Sequence, residues 1–303
     1  TAYERSLCLV GSEMCIRDRL NIDRTPKLYL GGKQKRPDSG YSYPVYAANG
    51  KDFICDVARS NRKDVRDCVE IASKVVEKQL TNFNRSQILY YLAENLEQRE
   101  KNFIDLLVSL RGVSKSLARN VFLQSIERIF YYASMADKFE GQVHNPPIRG
   151  LTMALKENIG VIATILSDHD PLLSLVTCMS AAFATGNAQI IVPGQKTSLL
   201  ATELYQVLDT SDIPGGYINI LTAKESELNS TLSKHENIDG IWYFGDSQSS
   251  QTDIIKTVSF KPNRAVYFSA NMCHYAEAPS NIFKDLRAVS YTHLRAHETE
   301  ADL

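Results

Sequence analysis

The chain has 303 residues, 44% of them hydrophobic, with 34 basic against 35 acidic side chains and a formal charge of −1. That balance excludes a strongly basic nucleic-acid face, and no apolar run is long enough to span a bilayer. The cysteines show no CxxC spacing, which argues against zinc and against a disulfide scaffold; a reduced, cytoplasmic protein with neither nucleic-acid nor membrane partners is expected.

The two ends need a separate reading. "LVGSEMCIRD" (residues 9–18) back-translates as CTC GTG GGC TCG GAG ATG TGT ATA AGA GAC, whose reverse complement encodes "VSYTHLRAHE", residues 289–298. Cys8 and Thr299 extend the match. Two unrelated peptides from one inverted DNA repeat are not a folding signal; they resemble a translated library adapter. Residues 1–19 and 288–303 are therefore expected to be adapter-coded and are set aside. Cys8, Cys15, His293 and His297 then carry no chemistry. The natural segment is expected to be 20–287, as a fragment.

In chain order, "LYLGG" and "YPVYAANGKDFICDVA" read as short strands, with Asn49-Gly50 as a hairpin turn. Val65, Cys68, Ala72, Val75 and Val76 have helical spacing. A second helix is expected to open at Asn84 as N-cap, with Gln87 three residues on, and to stop at Gly112. A third places Ala118, Phe122, Ile126, Ile129, Phe130 and Ala133 on one face. The tyrosines of these helices read as core and rim packing.

After "GQVHNPPIRG" the period changes. The runs "IGVIATIL", "AQIIV", "GYINIL", "GIWYF" and "AVYFS" alternate with helical patterns. Short runs buried on both faces predict parallel strands, and helical crossovers between them predict an α/β, doubly wound, three-layer αβα sheet. Ligands of such sheets bind at the carboxyl ends of the strands, where "SDHDP" (167–171) falls. As a metal site this loop is poor, because adjacent side chains diverge and no second cluster has ligand spacing. An unusual catalytic loop is a second reading. The favoured one is a solvated loop with Asp170 as N-cap ahead of Pro171 at the first helical position.

The order of these segments resembles the aldehyde dehydrogenase superfamily. "NIGVIATILSDHDPLLSLVTCMSAAFATGNAQIIVPGQ" is similar to that family's "PxGVVgxIxPWNfPLl…paLAaGNtVVxKPsE". "TSDIPGGYINILTA" is similar to "aGfPpGVvNvvtG", and "HENIDGIWYFGDS" to "HpxIdkIaFTGSt". The resemblance covers 20–287 and is greatest to the degenerate second module of the tandem, family-sixteen members. It implies a Rossmann-like domain for NAD or NADP, with an oligomerisation excursion at 137–160 and assembly as a homo-oligomer or with an active module.

The departures matter as much. Where the resemblance implies Pro-Trp-Asn, with the asparagine amide donating to an oxyanion, this chain has Ser167, Asp168 and His169. Asp168 and Asp170 bring the wrong sign of charge to that place. The ribose-gripping lysine and glutamate become Val192 and Gln195, either side of Pro193. Thr-Gly-Ser near the phosphates becomes Phe244, Gly245 and Asp246, a carboxylate where a pyrophosphate prefers amide donors. "SFKPNRAVYFSANM" lacks the glutamate base. Cys273-His274 is no dyad, since neighbours on an extended chain face opposite ways. The expectation is a non-catalytic module, a pseudoenzyme of an oxidoreductase family, in which NAD(P) binding is lost. The alternative is the cofactor-binding part of an active enzyme whose cysteine, in a "GQxC"-like setting, lies beyond Arg287.

Overall fold

The computed structural model describes residues 25–78, 80–138, 141–144, 151–245, 247–258, 265–268 and 290–297. The strands are β1 (Leu28–Leu30), β2 (Lys33–Lys35), β3 (Ser42–Tyr46), β4 (Phe53–Ala58), β5 (Gln142–His144), β6 (Leu151–Asn158), β7 (Val161–Ile165), β8 (Ala188–Val192), β9 (Ile218–Ile220), β10 (Gly240–Tyr243), β11 (Ala265–Phe268) and β12 (Ser290–His297). The helices are α1 (Arg62–Val76), α2 (Asn82–Glu97), α3 (Glu100–Arg111), α4 (Lys115–Ala136), α5 (Pro171–Ala184), α6 (Ser198–Asp209), α7 (Glu225–Lys234) and α8 (Gln248–Val258).

Seven strands form the main sheet in the order β11-β10-β7-β8-β9-β1-β2. The five from β11 to β9 are parallel to their neighbours, and β1 and β2 add an antiparallel edge. The alternation along β7 sorts its side chains into two apolar layers. Ile162 packs with α2 to α6 on one face, while Val161, Ala163 and Ile165 pack with α1, α7 and α8 on the other. This is the doubly wound αβα sandwich expected from the sequence.

Caps decide the local starts. Asn61 opens α1 with a capping box: its side chain accepts from the Lys63 and Asp64 amides, and Asp64 returns a bond to the Asn61 amide. The second helix begins earlier than expected, because Thr81 and not Asn84 is its cap; Thr81 Oγ1 accepts from the Asn84 amide at 3.2 Å. It is also two helices, α2 and α3, separated by a turn at Gln98 and Arg99. Gly112 ends α3 in a left-handed conformation, φ 64°, as a C-cap glycine does. The Asn49-Gly50 turn joins β3 to β4, with Gly50 at φ 68° and its amide donating to the Ala47 carbonyl. Tyr132 is buried and Tyr90 lies 5.9 Å from Phe130, whereas Tyr91 is exposed, so the helical tyrosines divide between core and rim.

A separate three-stranded sheet, β12-β6-β5, takes two of its strands, β5 and β6, from the segment 137–160 expected to form the excursion. Its strand β12 lies within the segment read as adapter-coded and pairs antiparallel with β6 from Ser290↔Asn158 to His297↔Leu151. That stretch is thus not outside the fold. Strand pairing asks of a partner only an extended backbone, which an unpaired edge such as that of β6 recruits with little regard to sequence.

Candidate functional site

The carboxyl ends of β7, β8 and β10 lie side by side, Ile165 being in parallel register with both Val192 and Tyr243. From β7 the chain moves outward to β8 and β9, then returns to β10 on the other side of β7. This reversal leaves a crevice at the strand ends, where doubly wound sheets bind ligands.

The loop after β7 is fixed by Asp168. Its Oδ1 accepts from the Thr197 amide at 3.0 Å and from the Thr197 hydroxyl at 2.7 Å. Thr197 is the cap residue of α6, so the carboxylate meets the positive end of that helix. Arg111, at the end of α3, donates to the Asp168 carbonyl. Gly194 completes the arrangement: a methyl group there would lie 2.4 Å from Asp168 Oδ1. The carboxylate therefore fills the space that a side chain at 194 would take.

His169 is exposed, and its amide donates to Ser167 Oγ at 3.4 Å. Asp170 does stand at the cap position of α5, with Pro171 following, but its side chain makes no cap hydrogen bond; instead its carbonyl accepts from the Ser174 amide and hydroxyl. Val192 is 1% exposed and lies in the apolar cluster with Ile165, Ile190 and Tyr243. Pro193 is buried, and the half-buried Gln195 accepts at its carbonyl from Ser198 Oγ. Phe244 is buried with its amide on the Ile165 carbonyl, and Gly245 is half-buried beside it. Asp246, Cys273 and His274 lie outside the described residues.

A cleft of about 860 Å³ opens between the β3–β4 hairpin and the loops after β7 and β8. Asp168, His169 and Gln195 line it together with Lys196, Lys224 and Tyr43. Phe244, Gly245 and Val192 do not. Among the described lining residues there is no cysteine, and the one carboxylate is that of Asp168. Among the described residues no group of three His, Cys, Asp or Glu could hold a metal, and no helix is long and apolar enough to cross a membrane.

A profile described as "Aldehyde dehydrogenase family" matches residues 36–264. The chain belongs to the aldehyde dehydrogenase family. It is 28% identical over 228 residues to a hydroxyisobutyraldehyde dehydrogenase of Mycolicibacterium austroafricanum, covering 75% of this chain and 45% of that one. It is 26% identical over 252 residues to the cytosolic 10-formyltetrahydrofolate dehydrogenase of Mus musculus, covering 80% of this chain and 28% of the relative. The NAD+ complex of an aldehyde dehydrogenase from Bacillus cereus superposes with a TM-score of 0.79 at 21% identity, over 86% of this chain and 52% of that one. The chain thus spans about half or less of the length of these relatives.

Set in the aldehyde dehydrogenase fold, the sequence-predicted residues divide. Asp168, His169 and Gln195 share one cleft; Val192 turns into the apolar layer, and Gly245 stands at the end of β10. The sequence reading missed Gly194, Thr197, Arg111 and the two lysines. One signal was available: "VPGQ" departs from the family's "KPsE" at Gly194 as well as at Val192 and Gln195.

Proposed function

We propose that this segment is a non-catalytic aldehyde dehydrogenase module that supports assembly, in keeping with its likeness to the degenerate second module of the tandem members. One observation carries the reading: the Asp168 carboxylate, bound twice by Thr197 and packed on Gly194, joins the loop after β7 to the loop after β8. In active relatives these loops are read as presenting the oxyanion donor and the ribose-gripping pair. Here a fixed negative charge stands beside the first place, and an apolar side chain replaces the lysine at the second. A carboxylate already engaged by a helix N-terminus opposes a developing oxyanion and adds no donor to stabilise it. The residues present therefore fit neither NAD nor NADP in the family's manner.

The assembly role is supported by the separate sheet of the excursion. Among the described residues its strand β5 ends the order β12-β6-β5 with no strand on its outer edge, and Val143 is 69% exposed. Open edges pair with other chains, so a homo-oligomer or an active module is the expected partner. Residues 1–19 and 288–303 remain adapter-coded in this proposal. The test is NADH or NADPH formation from aliphatic and aromatic aldehydes. No turnover above background is expected; turnover that disappears in His169→Ala would establish the alternative, an active NAD(P)-dependent enzyme. That alternative draws on the doubly wound sheet, whose strand order reverses at the crevice.

A further inference from the structure

The loop joining β3 to β4 holds the one Asn-Gly pair of the sequence, Asn49-Gly50. The hairpin closes with the Ala47 amide on the Asp52 carbonyl at 2.9 Å, and the Gly50 amide donates to the Ala47 carbonyl at 2.8 Å. Gly50 stands at φ 68°, a left-handed conformation that glycine adopts without strain. The turn therefore demands a glycine directly after the asparagine. Both residues are exposed, and a methyl group at position 50 would meet nothing within 4 Å.

The Asn49 side chain is held at both of its polar atoms. Its Oδ1 accepts from the Lys51 amide at 3.0 Å and from the Asp52 amide at 3.1 Å, while its Nδ2 donates to Asp52 Oδ2 at 2.6 Å. Two backbone donors aimed at a carbonyl oxygen polarise its carbon and stabilise negative charge that develops on the oxygen. The Asp52 carboxylate stands at the nitrogen that leaves when such a carbon is attacked. The attacking atom is next in the chain. The Gly50 amide nitrogen is tethered to Asn49 itself and closes a small ring on Cγ, with the advantage of an intramolecular reaction.

We propose that Asn49 is a site of spontaneous deamidation in the folded chain, with the turn serving as its own oxyanion hole. The Gly50 amide leaves its bond to Ala47, loses its proton to solvent and bonds through nitrogen to Asn49 Cγ. The Cγ–Nδ2 bond then breaks, and Nδ2 departs as ammonia with a proton returned from water. A second water opens the cyclic imide at either carbonyl, leaving aspartate or isoaspartate at position 49. The only co-reactant is solvent.

The product undoes what holds the turn. Either acid trades the Nδ2 donor for a negative charge beside Asp52 Oδ2, and like charges so close repel. Isoaspartate also adds a methylene to the main chain, displacing the pairing of Ala47 with Asp52. The loop is tied to α3 by the Ala48 amide, which donates to the Ser109 carbonyl at 2.9 Å. Deamidation thus loosens the hairpin from that helix.

Ageing of the full chain in neutral buffer, followed by tryptic peptide mapping, tests this. The peptide 36–51 is expected to gain the mass of an amide-to-acid change and to split into two isomers, ahead of every other asparagine-bearing peptide. Asn49→Gln, which keeps an amide but disfavours the small ring, should age without that change. Hydrogen exchange across 42–58 should quicken in step with conversion in the parent, and Asn49→Asp should show the charge-driven part from the start. An unchanged peptide 36–51, over a period in which the same peptide excised from the chain converts, would overturn the proposal. Earlier conversion at another asparagine would do so too, as would conversion that leaves exchange in β3 and β4 untouched.

Discussion

A methyl group at position 194 would stand 2.4 Å from Asp168 Oδ1 and 2.9 Å from the Asp168 amide nitrogen, closer than atoms pack without displacement. Gly194→Ala should destabilise the chain by about 1–3 kcal/mol, the usual range for overpacking. Asp168→Ala leaves the Thr197 amide and hydroxyl without their acceptor and should lose about 1–3 kcal/mol. Because both changes act on one space, the double variant should lose less than the sum, with a coupling of about 0.5–3 kcal/mol. Urea unfolding of the four proteins checks this, and strict additivity would refute the shared space. The sequence showed that Asp168 was the wrong charge for an oxyanion donor. It did not show the residue's structural partner, because Thr197 lies 29 positions away on another strand's loop. The cysteines give a second residue-scale expectation. Burial holds the thiols of Cys68 and Cys178 well above the ordinary range, so native labelling at neutral pH should reach half-buried Cys55 long before either. Early modification of Cys178 would show that α5 is not the buried helix described.

At the scale of elements, caps separate what pattern reveals from what geometry decides. The periodicity of α1 and α4 located their buried faces, because apolar side chains at helical spacing have one way to face a sheet. The start of α2 was not resolved by the same logic: "LTNFNRSQ" offers Thr81, Asn82 and Asn84 as capping types, and only backbone geometry selects Thr81. Asp170 was correctly placed as a cap position, yet its side chain makes no cap bond. Thr81→Ala should therefore lose about 0.5–2 kcal/mol, whereas Asp170→Ala should fall below that range. Thermal melts of the two variants measure the difference; a larger loss at Asp170 would contradict the cap assignment. The split between α2 and α3 carried no glycine or proline to announce it, so the sequence read one helix where the chain makes two.

For the whole molecule, the doubly wound architecture with a core on each face of the sheet was legible because short, fully apolar strands alternating with helices permit few architectures, whereas the strand order, with β1 and β2 as an antiparallel edge, was not. The pairing of β12 with β6 was not, since it depends on an available edge and not on side-chain pattern. Since β12 ends the order of the smaller sheet, deleting residues 288–303 should leave the melting temperature of the main core unchanged while freeing the edge of β6. Sedimentation should then show greater self-association; a marked fall in melting temperature with no change in association would mean that β12 belongs to the core. The central claim is that an aldehyde dehydrogenase fold persists here without its dinucleotide grip, the loops after β7 and β8 being tied to one another by Asp168. Calorimetric titration of the chain with NAD tests that most directly. Negligible heat up to millimolar cofactor is the predicted result, and a dissociation constant in the micromolar range would contradict it.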